Sequence, residues 1–185
     1  MREALRPGPL TEARAWITGA AAASTIALAV PVGVLMLSDG RSHPEAVVAA
    51  GFAAVLVMLA AFDFRQRIVP NRIVLPALAV AIVLSPVWHD RGPQEALVAA
   101  IGALFVGAAL RGLSGGGLGW GDVKMMALVG AVVGAPAILL AGVVTALSGG
   151  VAGLVLIVVG RATRGTRIPY GPFIALGGLI SLLAG

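Results

Sequence analysis

The stretch Met125–Gly160, MMALVGAVVGAPAILLAGVVTALSGGVAGLVLIVVG, runs for 36 residues without a charged side chain. A helix that crosses a bilayer needs roughly 20 apolar residues, because it rises about 1.5 Å per residue across a hydrocarbon layer of about 30 Å. The stretch is therefore too long for one crossing and long enough for two. Gly134-Ala135-Pro136 is the natural break, since proline removes a backbone donor and clashes with the preceding turn. We predict one span over 122–134 and another over 136–160.

The composition of the whole chain also indicates a membrane protein. Of the 185 residues, 59% are hydrophobic and 11% are charged, whereas about 25% of the residues of a soluble domain are charged. Such a chain cannot cover a water-facing surface, and its apolar content excludes disorder. The apolar runs are continuous rather than alternating, which excludes a membrane β-barrel. We therefore predict an all-α protein, a polytopic membrane helix bundle.

Seven apolar stretches define the predicted spans. They cover residues 16–37, 45–64, 73–88, 95–113, 122–134, 136–160 and 170–184. The first is longer than the apolar core of a typical signal peptide, so we expect a retained helix. With the N-terminus in the cytoplasm, eleven basic residues fall on the cytoplasmic side: Arg2, Arg6, Arg14, Arg65, Arg67, Arg72, Arg111, Lys124, Arg161, Arg164 and Arg167. Only Arg41 and Arg91 fall outside, as the positive-inside rule requires.

Two of the eight acidic residues stand apart from the others. Six are expected to be solvated loop charges: Glu3, Glu12, Asp39, Glu45, Asp90 and Glu95. Asp63 ends the second span and Asp122 opens the fifth, so both are predicted at the cytoplasmic boundary. Asp122 could simply cap its helix, since aspartate is favoured at helix N-termini. Asp63 faces the unfavourable end of its helix dipole, where Arg65 and Arg67 could neutralise it in a structural ion pair.

Two carboxyl groups held close together in a low-dielectric site do not both ionise easily. One keeps its proton while the other stays charged, which supplies a general acid and a general base near neutral pH. The charged group can take a proton from water as the water attacks a peptide carbonyl, and the protonated group can hydrogen-bond the carbonyl oxygen. The chain has no cysteine, and His43 and His89 lie far apart in separate loops. No metal site and no organic cofactor are predicted.

The residues around the acids fit a site that cleaves peptides. Ser114–Gly121, SGGGLGWG, contains five glycines, so the backbone can bend and approach a substrate closely. A flexible interhelical loop is the simpler interpretation. Lys124 could bias the acid pair toward ionisation, or it could extend to water at the membrane interface. Pro70 and Asn71 mark a turn into the third span.

The chain resembles the type IV prepilin peptidases, a family of intramembrane aspartyl proteases with a GxGD motif. Three segments carry the resemblance: Asp63–Asn71, DFRQRIVPN; Gly119–Lys124, GWGDVK; and Ile168–Gly178, IPYGPFIALGG. The first is similar to the family's first aspartate with its basic loop and Pro-Asn turn. The second is similar to the second aspartate motif, and the third to a Pro-aromatic-Gly-Pro-Phe segment. Together they cover the chain from about residue 50 to the end.

The resemblance implies roles for individual residues. Asp63 and Asp122 would be the catalytic pair. Motif or supporting roles would belong to Gly119, Gly121, Lys124, Pro70 and Asn71. A substrate-positioning role would belong to Pro169, Tyr170, Gly171 and Pro172.

The resemblance also implies a substrate and a domain organisation. Prepilin-like precursors, with a short basic leader ahead of a hydrophobic helix, would be cut at the cytoplasmic face of the inner membrane and enter a pilus or secretion filament. Residues 45–185 would form a six-helix protease domain, and residues 1–44 a cytoplasmic segment with one additional helix. Larger members also methylate the new N-terminus and carry paired Cys-x-x-Cys motifs. Because this chain has no cysteine, methyltransferase activity is not expected here. The implied partners are these precursors and membrane lipid, without nucleic acid.

A small proton-coupled transporter is the main alternative. Paired intramembrane acids, broken helices and glycine-rich segments also occur in carriers. Carriers favour midplane sites and repeated halves, whereas these acids are predicted at one face and no repeat is visible. A non-catalytic assembly protein and a different GxGD protease are lesser alternatives.

Overall fold

The computed structural model describes residues 27, 29–89, 91–115, 117–161 and 168–185. Within these residues the chain forms seven α-helices and one 3-10 turn, without a strand. The helices are α1 (Ala29–Ser38), α2 (His43–Gln66), α3 (Asn71–Leu84), α4 (Pro93–Leu113), α5 (Trp120–Val133), α6 (Ala137–Val158) and α7 (Gly171–Ala184). The 3-10 turn, Ser85–Val87, follows α3 directly. The predicted all-α class is confirmed.

The helices agree with the predicted spans. Three of them, α2, α4 and α6, are long and apolar enough to cross a membrane. The helices α1, α3 and α7 are apolar but shorter, and α5 has 14 residues. The chain is therefore a multi-pass membrane protein. Several predicted features lie outside the described residues: positions 16–26 and 28 of the first span, and Arg2, Arg6, Arg14, Arg164 and Arg167.

The predicted break between the fifth and sixth spans is confirmed. Helix α5 ends at Val133 and α6 begins at Ala137. Gly134 closes α5 with a φ of 69°, and its N–H donates to the Gly130 carbonyl at 2.9 Å. Glycine suits this position because it has no Cβ to oppose a positive φ.

Helix α5 is the centre of the bundle. Most of its residues from Val123 to Val133 are buried, as expected for a helix that is apolar on all sides. It packs against α3, α4 and α7. At Gly130 the approach to α4 is so close that a Cβ would lie 2.6 Å from the Ala99 carbonyl oxygen. Small residues allow this kind of contact between helices in lipid.

Helix α7 connects α2, which carries Asp63, with α5, which carries Asp122. Its Gly178 packs between the two helices, where a Cβ would lie 3.1 Å from a methyl carbon of Leu56 and 3.0 Å from one of Val129. The position of α7 therefore fixes how α2 and α5 sit relative to each other.

The prediction of solvated loop acids is wrong for Glu45. This side chain is buried because its Oε1 accepts the backbone N–H of His89 at 2.9 Å and lies 2.8 Å from the His89 Nδ1. Asp39 is exposed and Glu95 is half-buried. Glu3, Glu12 and Asp90 lie outside the described residues.

A second buried ionic side chain, Arg91, follows two residues after His89. Arg91 donates from Nη1 to the Val132 carbonyl at 2.8 Å, and its guanidinium lies 4.1 Å from the centre of the Trp88 ring. The Glu45–His89 and Arg91–Val132 contacts tie the start of α2 and the end of α5 to the segment after α3. These two contacts together are called the outer clamp, and they lie at the opposite end of α2 and α5 from Asp63 and Asp122.

Candidate active site

Asp63 lies in the last turn of α2 and is only 5% exposed. The end of its own helix disfavours a carboxylate, but α7 begins beside it. The backbone N–H of Gly171, the first residue of α7, donates to Asp63 Oδ2 at 2.7 Å. The positive end of the α7 dipole therefore offsets the negative end of the α2 dipole. Glycine is needed at 171, because a Cβ there would lie 2.7 Å from the Cβ and from Oδ2 of Asp63.

Asp122 lies in the first turn of α5 and is 8% exposed. Its Oδ2 accepts the backbone N–H of Gly119 at 2.9 Å, so the helix-capping contact considered from the sequence is present. Its Oδ1 is buried without a hydrogen-bond partner among the described residues. Buried polar atoms are nearly always hydrogen-bonded to protein or water. Capping therefore accounts for one oxygen of this carboxyl group and leaves the other available to a water or a substrate.

The two acids lie at the same end of the bundle. The segment that follows α2 packs against the GxGD turn, where a Cβ at Gly121 would lie 2.7 Å from the Cβ of Val69. Helix α7 contacts both α2 and α5. The structure thus places the predicted pair at the same end of the bundle, with α7 packed against both of their helices.

The arginines that follow Asp63 do not neutralise it by direct contact. In the part of the chain that the structure describes, neither Arg65 nor Arg67 forms an ion pair with Asp63. The N–H of Gly171 is the close partner instead, and it comes from a segment 108 residues away.

Lys124 joins the two motifs rather than the two acids. Its Nζ donates to Asn71 Oδ1 at 2.8 Å. Asn71 is the first residue of α3, and Pro70 immediately precedes it. This bond holds the Pro-Asn turn beside the start of α5.

The Pro-Tyr-Gly-Pro segment leads into α7. Pro172 is the second residue of that helix, where a missing N–H costs no helical hydrogen bond. The Tyr170 ring packs against Gly149 of α6, where a Cβ would lie 3.1 Å from a ring carbon. Tyr170 also meets the Phe173 ring edge-on at 5.9 Å. Pro169 lies in the irregular segment before these contacts.

One residue of the site was missed from the sequence. Arg111, near the end of α4, donates from Nη1 to the Leu118 carbonyl, and its guanidinium lies 5.1 Å from the centre of the Trp120 ring. The two contacts fall on the residues directly before and after Gly119. The signal available in the sequence was a lone arginine at the end of an apolar span, directly before a glycine-rich loop.

The arrangement can support acid–base chemistry. Two buried carboxyl groups lie at one end of the bundle, and each has one oxygen held by the backbone N–H of a glycine. The unpaired Asp122 Oδ1 is the atom left to bind a reacting group. Among the described residues no three His, Asp or Glu side chains gather as ligands for a metal ion.

Comparison with known proteins places these residues in a family. Residues 50–157 match the model of the type IV leader peptidase family, and this segment includes both acids. A prepilin leader peptidase/N-methyltransferase of Bacillus subtilis (strain 168) is 34% identical over 137 residues, which cover 72% of this chain and 54% of the relative. The relative of the same name from Burkholderia pseudomallei (strain 1026b) is 31% identical over 91% of this chain and 52% of its own length.

A third relative of that name, from Pseudomonas putida, is 32% identical over 76% of this chain and 51% of its own length. The chain thus spans about half the length of the curated relatives it matches. The comparison with solved structures found no match. On the family match and these identities, the chain belongs to the type IV leader peptidase family.

Proposed function

We propose that this protein is a membrane-embedded aspartyl endopeptidase that removes the leader of prepilin-like precursors, with Asp63 and Asp122 as its catalytic pair. Family membership supports the peptidase activity. The aspartyl chemistry rests on one observation above the others: Asp122 is buried at the same end of the bundle as the buried Asp63, with one oxygen held and the other unpaired within the described residues. An acid that served only as a helix cap would not need a second buried acid next to it.

The mechanism follows from the two carboxyl groups. The charged group takes a proton from a water molecule as the water oxygen attacks the scissile carbonyl carbon. The protonated group hydrogen-bonds the carbonyl oxygen, where negative charge develops. Transfer of a proton to the leaving nitrogen then releases the new N-terminus. The N–H groups of Gly119 and Gly171 keep both carboxyl groups oriented throughout, and the proposed steps require no metal or cofactor.

The substrate and location belong to the same proposal. The precursors carry a short basic leader followed by a hydrophobic helix, as the family resemblance implies. The eleven basic residues expected on one side of the membrane support an N-terminus in the cytoplasm and a site at the cytoplasmic face of the inner membrane. Residues 45–185 form the peptidase domain in this proposal, and residues 1–44 add a helix to it.

Methylation of the new N-terminus is not part of the activity that we propose for this chain. The 185 residues contain no cysteine, so the paired Cys-x-x-Cys motifs of the larger family members have no counterpart here. We propose that this chain alone cleaves its precursors without methylating them.

The test is co-expression with a prepilin, with leader removal followed on a gel. Asp63→Asn and Asp122→Asn should each slow cleavage by at least about 100-fold, the usual contribution of a general acid or base. Asp39→Asn is the matched control, because Asp39 is an exposed acid at the end of α1. Normal cleavage by either variant removes that residue from the pair. A transporter instead predicts proton or solute flux without any change in precursor length.

A further inference from the structure

A large apolar cavity is lined in part by the residues that directly precede Gly119 and Gly171. Its volume is about 840 Å³, within the range of roughly 300–1,000 Å³ that is typical of ligand sites. Helices α4, α5, α6 and α7 and the glycine-rich loop surround it. The side chains or backbone that matter here belong to Leu110, Leu118, Met126, Gly142, Ala146 and Tyr170.

The wall of the cavity reaches the active site at two points. Leu118 precedes Gly119, whose N–H holds Asp122, and Tyr170 precedes Gly171, whose N–H holds Asp63. A chain segment that fills the cavity therefore contacts the residues next to the two glycines that hold the carboxyl groups.

Helices α4 and α6 line the cavity from two sides and do not pack closely on each other. Helix α4 packs mainly on α5, and α6 packs mainly on α7. Lining residues on both helices are exposed, among them Leu110 of α4 and Gly142 and Ala146 of α6. An apolar segment embedded in the membrane can therefore enter sideways without crossing water.

We propose that this cavity is the subsite for the apolar residues that follow the scissile bond, at the start of the precursor's hydrophobic helix. The inference rests on the proposed function and specifies which part of the precursor lies where. None of the lining residues that the structure describes is charged, and burial of an unpaired charge in such surroundings is costly. The basic leader therefore stays outside, and the peptide bond between leader and helix falls at the carboxyl groups.

Gly142 permits a test by filling the cavity. A Cβ at Gly142 meets nothing within 4 Å, so Gly142→Leu should place its side chain in the cavity without disturbing the helices. Gly150→Leu is a matched control, since Gly150 lies on the same helix, is equally free of neighbours within 4 Å and does not line the cavity. In a cleavage assay with purified protein, Gly142→Leu should raise the KM for the precursor about tenfold or more, because the new side chain takes up pocket volume that the substrate would fill. Gly150→Leu should leave it unchanged.

Rescue by a smaller substrate separates a subsite from a general disturbance. Alanine in place of the first bulky apolar residue after the scissile bond should restore the KM of Gly142→Leu. The reverse change, Met126→Ala, enlarges the cavity and should improve cleavage of a precursor with tryptophan at that position. An unchanged KM in Gly142→Leu overturns the inference. An equal rise in KM for every precursor, without rescue by the smaller residue, also overturns it, and this is the result expected if lipid tails occupy the cavity.

Cross-linking gives an independent readout. The chain has no cysteine, so Ala146→Cys introduces a single thiol at the cavity wall. It should cross-link to a cysteine placed just after the cleavage site of a precursor, in an Asp122→Asn background that traps the complex, whereas Gly150→Cys should not. Equal cross-linking at both positions overturns the inference. If the wild type does not cleave any prepilin, the proposed function fails; if it cleaves and these cavity variants behave as wild type, only the subsite fails.

Discussion

Gly171→Ala should disable the site through a single methyl group. The new Cβ would lie 2.7 Å from the Cβ and from Oδ2 of Asp63, whereas ordinary contact begins at 3.4 Å. Either Asp63 or the start of α7 must therefore move by about 0.7 Å, against buried neighbours. The 2.7 Å bond from the Gly171 N–H to Oδ2 is then lost or lengthened. A hydrogen bond to a charged group is worth about 1.5–3 kcal/mol, and about 1.4 kcal/mol corresponds to tenfold in rate.

We therefore expect kcat of Gly171→Ala to fall by about 10- to 100-fold, since a misplacement of about 1 Å has comparable effects on positioned catalytic groups. The assay is initial-rate cleavage of a purified precursor, with thermal unfolding measured in the same detergent. Gly51→Ala is the control, because Gly51 lies on α2 and a Cβ added there would meet nothing within 4 Å. Wild-type kcat in Gly171→Ala would refute the role of Gly171 in holding Asp63.

Three further predictions concern other contacts. Gly121→Ala should lower kcat because its Cβ would lie 2.7 Å from the Cβ of Val69. Val69→Gly in the same molecule removes that Cβ and should recover part of the rate; a double variant as slow as the single one contradicts the packing explanation. Arg111→Lys loses the planar guanidinium group that donates to the Leu118 carbonyl and lies over the Trp120 ring, so kcat should fall about tenfold. Arg65→Lys, the same change at an exposed position, should have no effect. A change in KM alone would count against a positioning role for Arg111. Glu45→Gln weakens the outer clamp and should lower the free energy of unfolding by about 1–3 kcal/mol, while each folded molecule keeps its cleavage rate. Glu95→Gln is the control. An unchanged Tm in Glu45→Gln would show that the buried charge adds nothing to stability.

Local patterns in the sequence were sufficient for the helices and for the placement of the acids at one end. The break at Gly134 was predictable because it depends on a local glycine and proline in a run too long for one crossing. The position of Asp63 and Asp122 at the same end of the bundle followed from the order of the helices and the distribution of basic residues. Both of these can be read directly from the sequence.

The partners of the acids were not predictable in the same way. The contact between Gly171 and Asp63 joins residues 108 positions apart, and only the packing of α7 between α2 and α5 brings them together. Glu45 shows the same limit: it has the sequence position of a solvated acid at a helix start, yet it is buried because His89, 44 residues later, supplies two nitrogens to it. Arg111 was missed because its role depends on the fold of the loop that follows it.

The central claim is that Asp63 and Asp122 act as one catalytic unit, and single-turnover cleavage by four proteins tests it most directly. The rates of the wild type, Asp63→Asn, Asp122→Asn and the double variant should be measured with the same purified precursor. Residues that work as a unit show strongly non-additive losses, so each single variant should already fall to the residual rate of the double variant. Independent losses that multiply in the double variant, or a single variant that retains substantial cleavage, would contradict the claim.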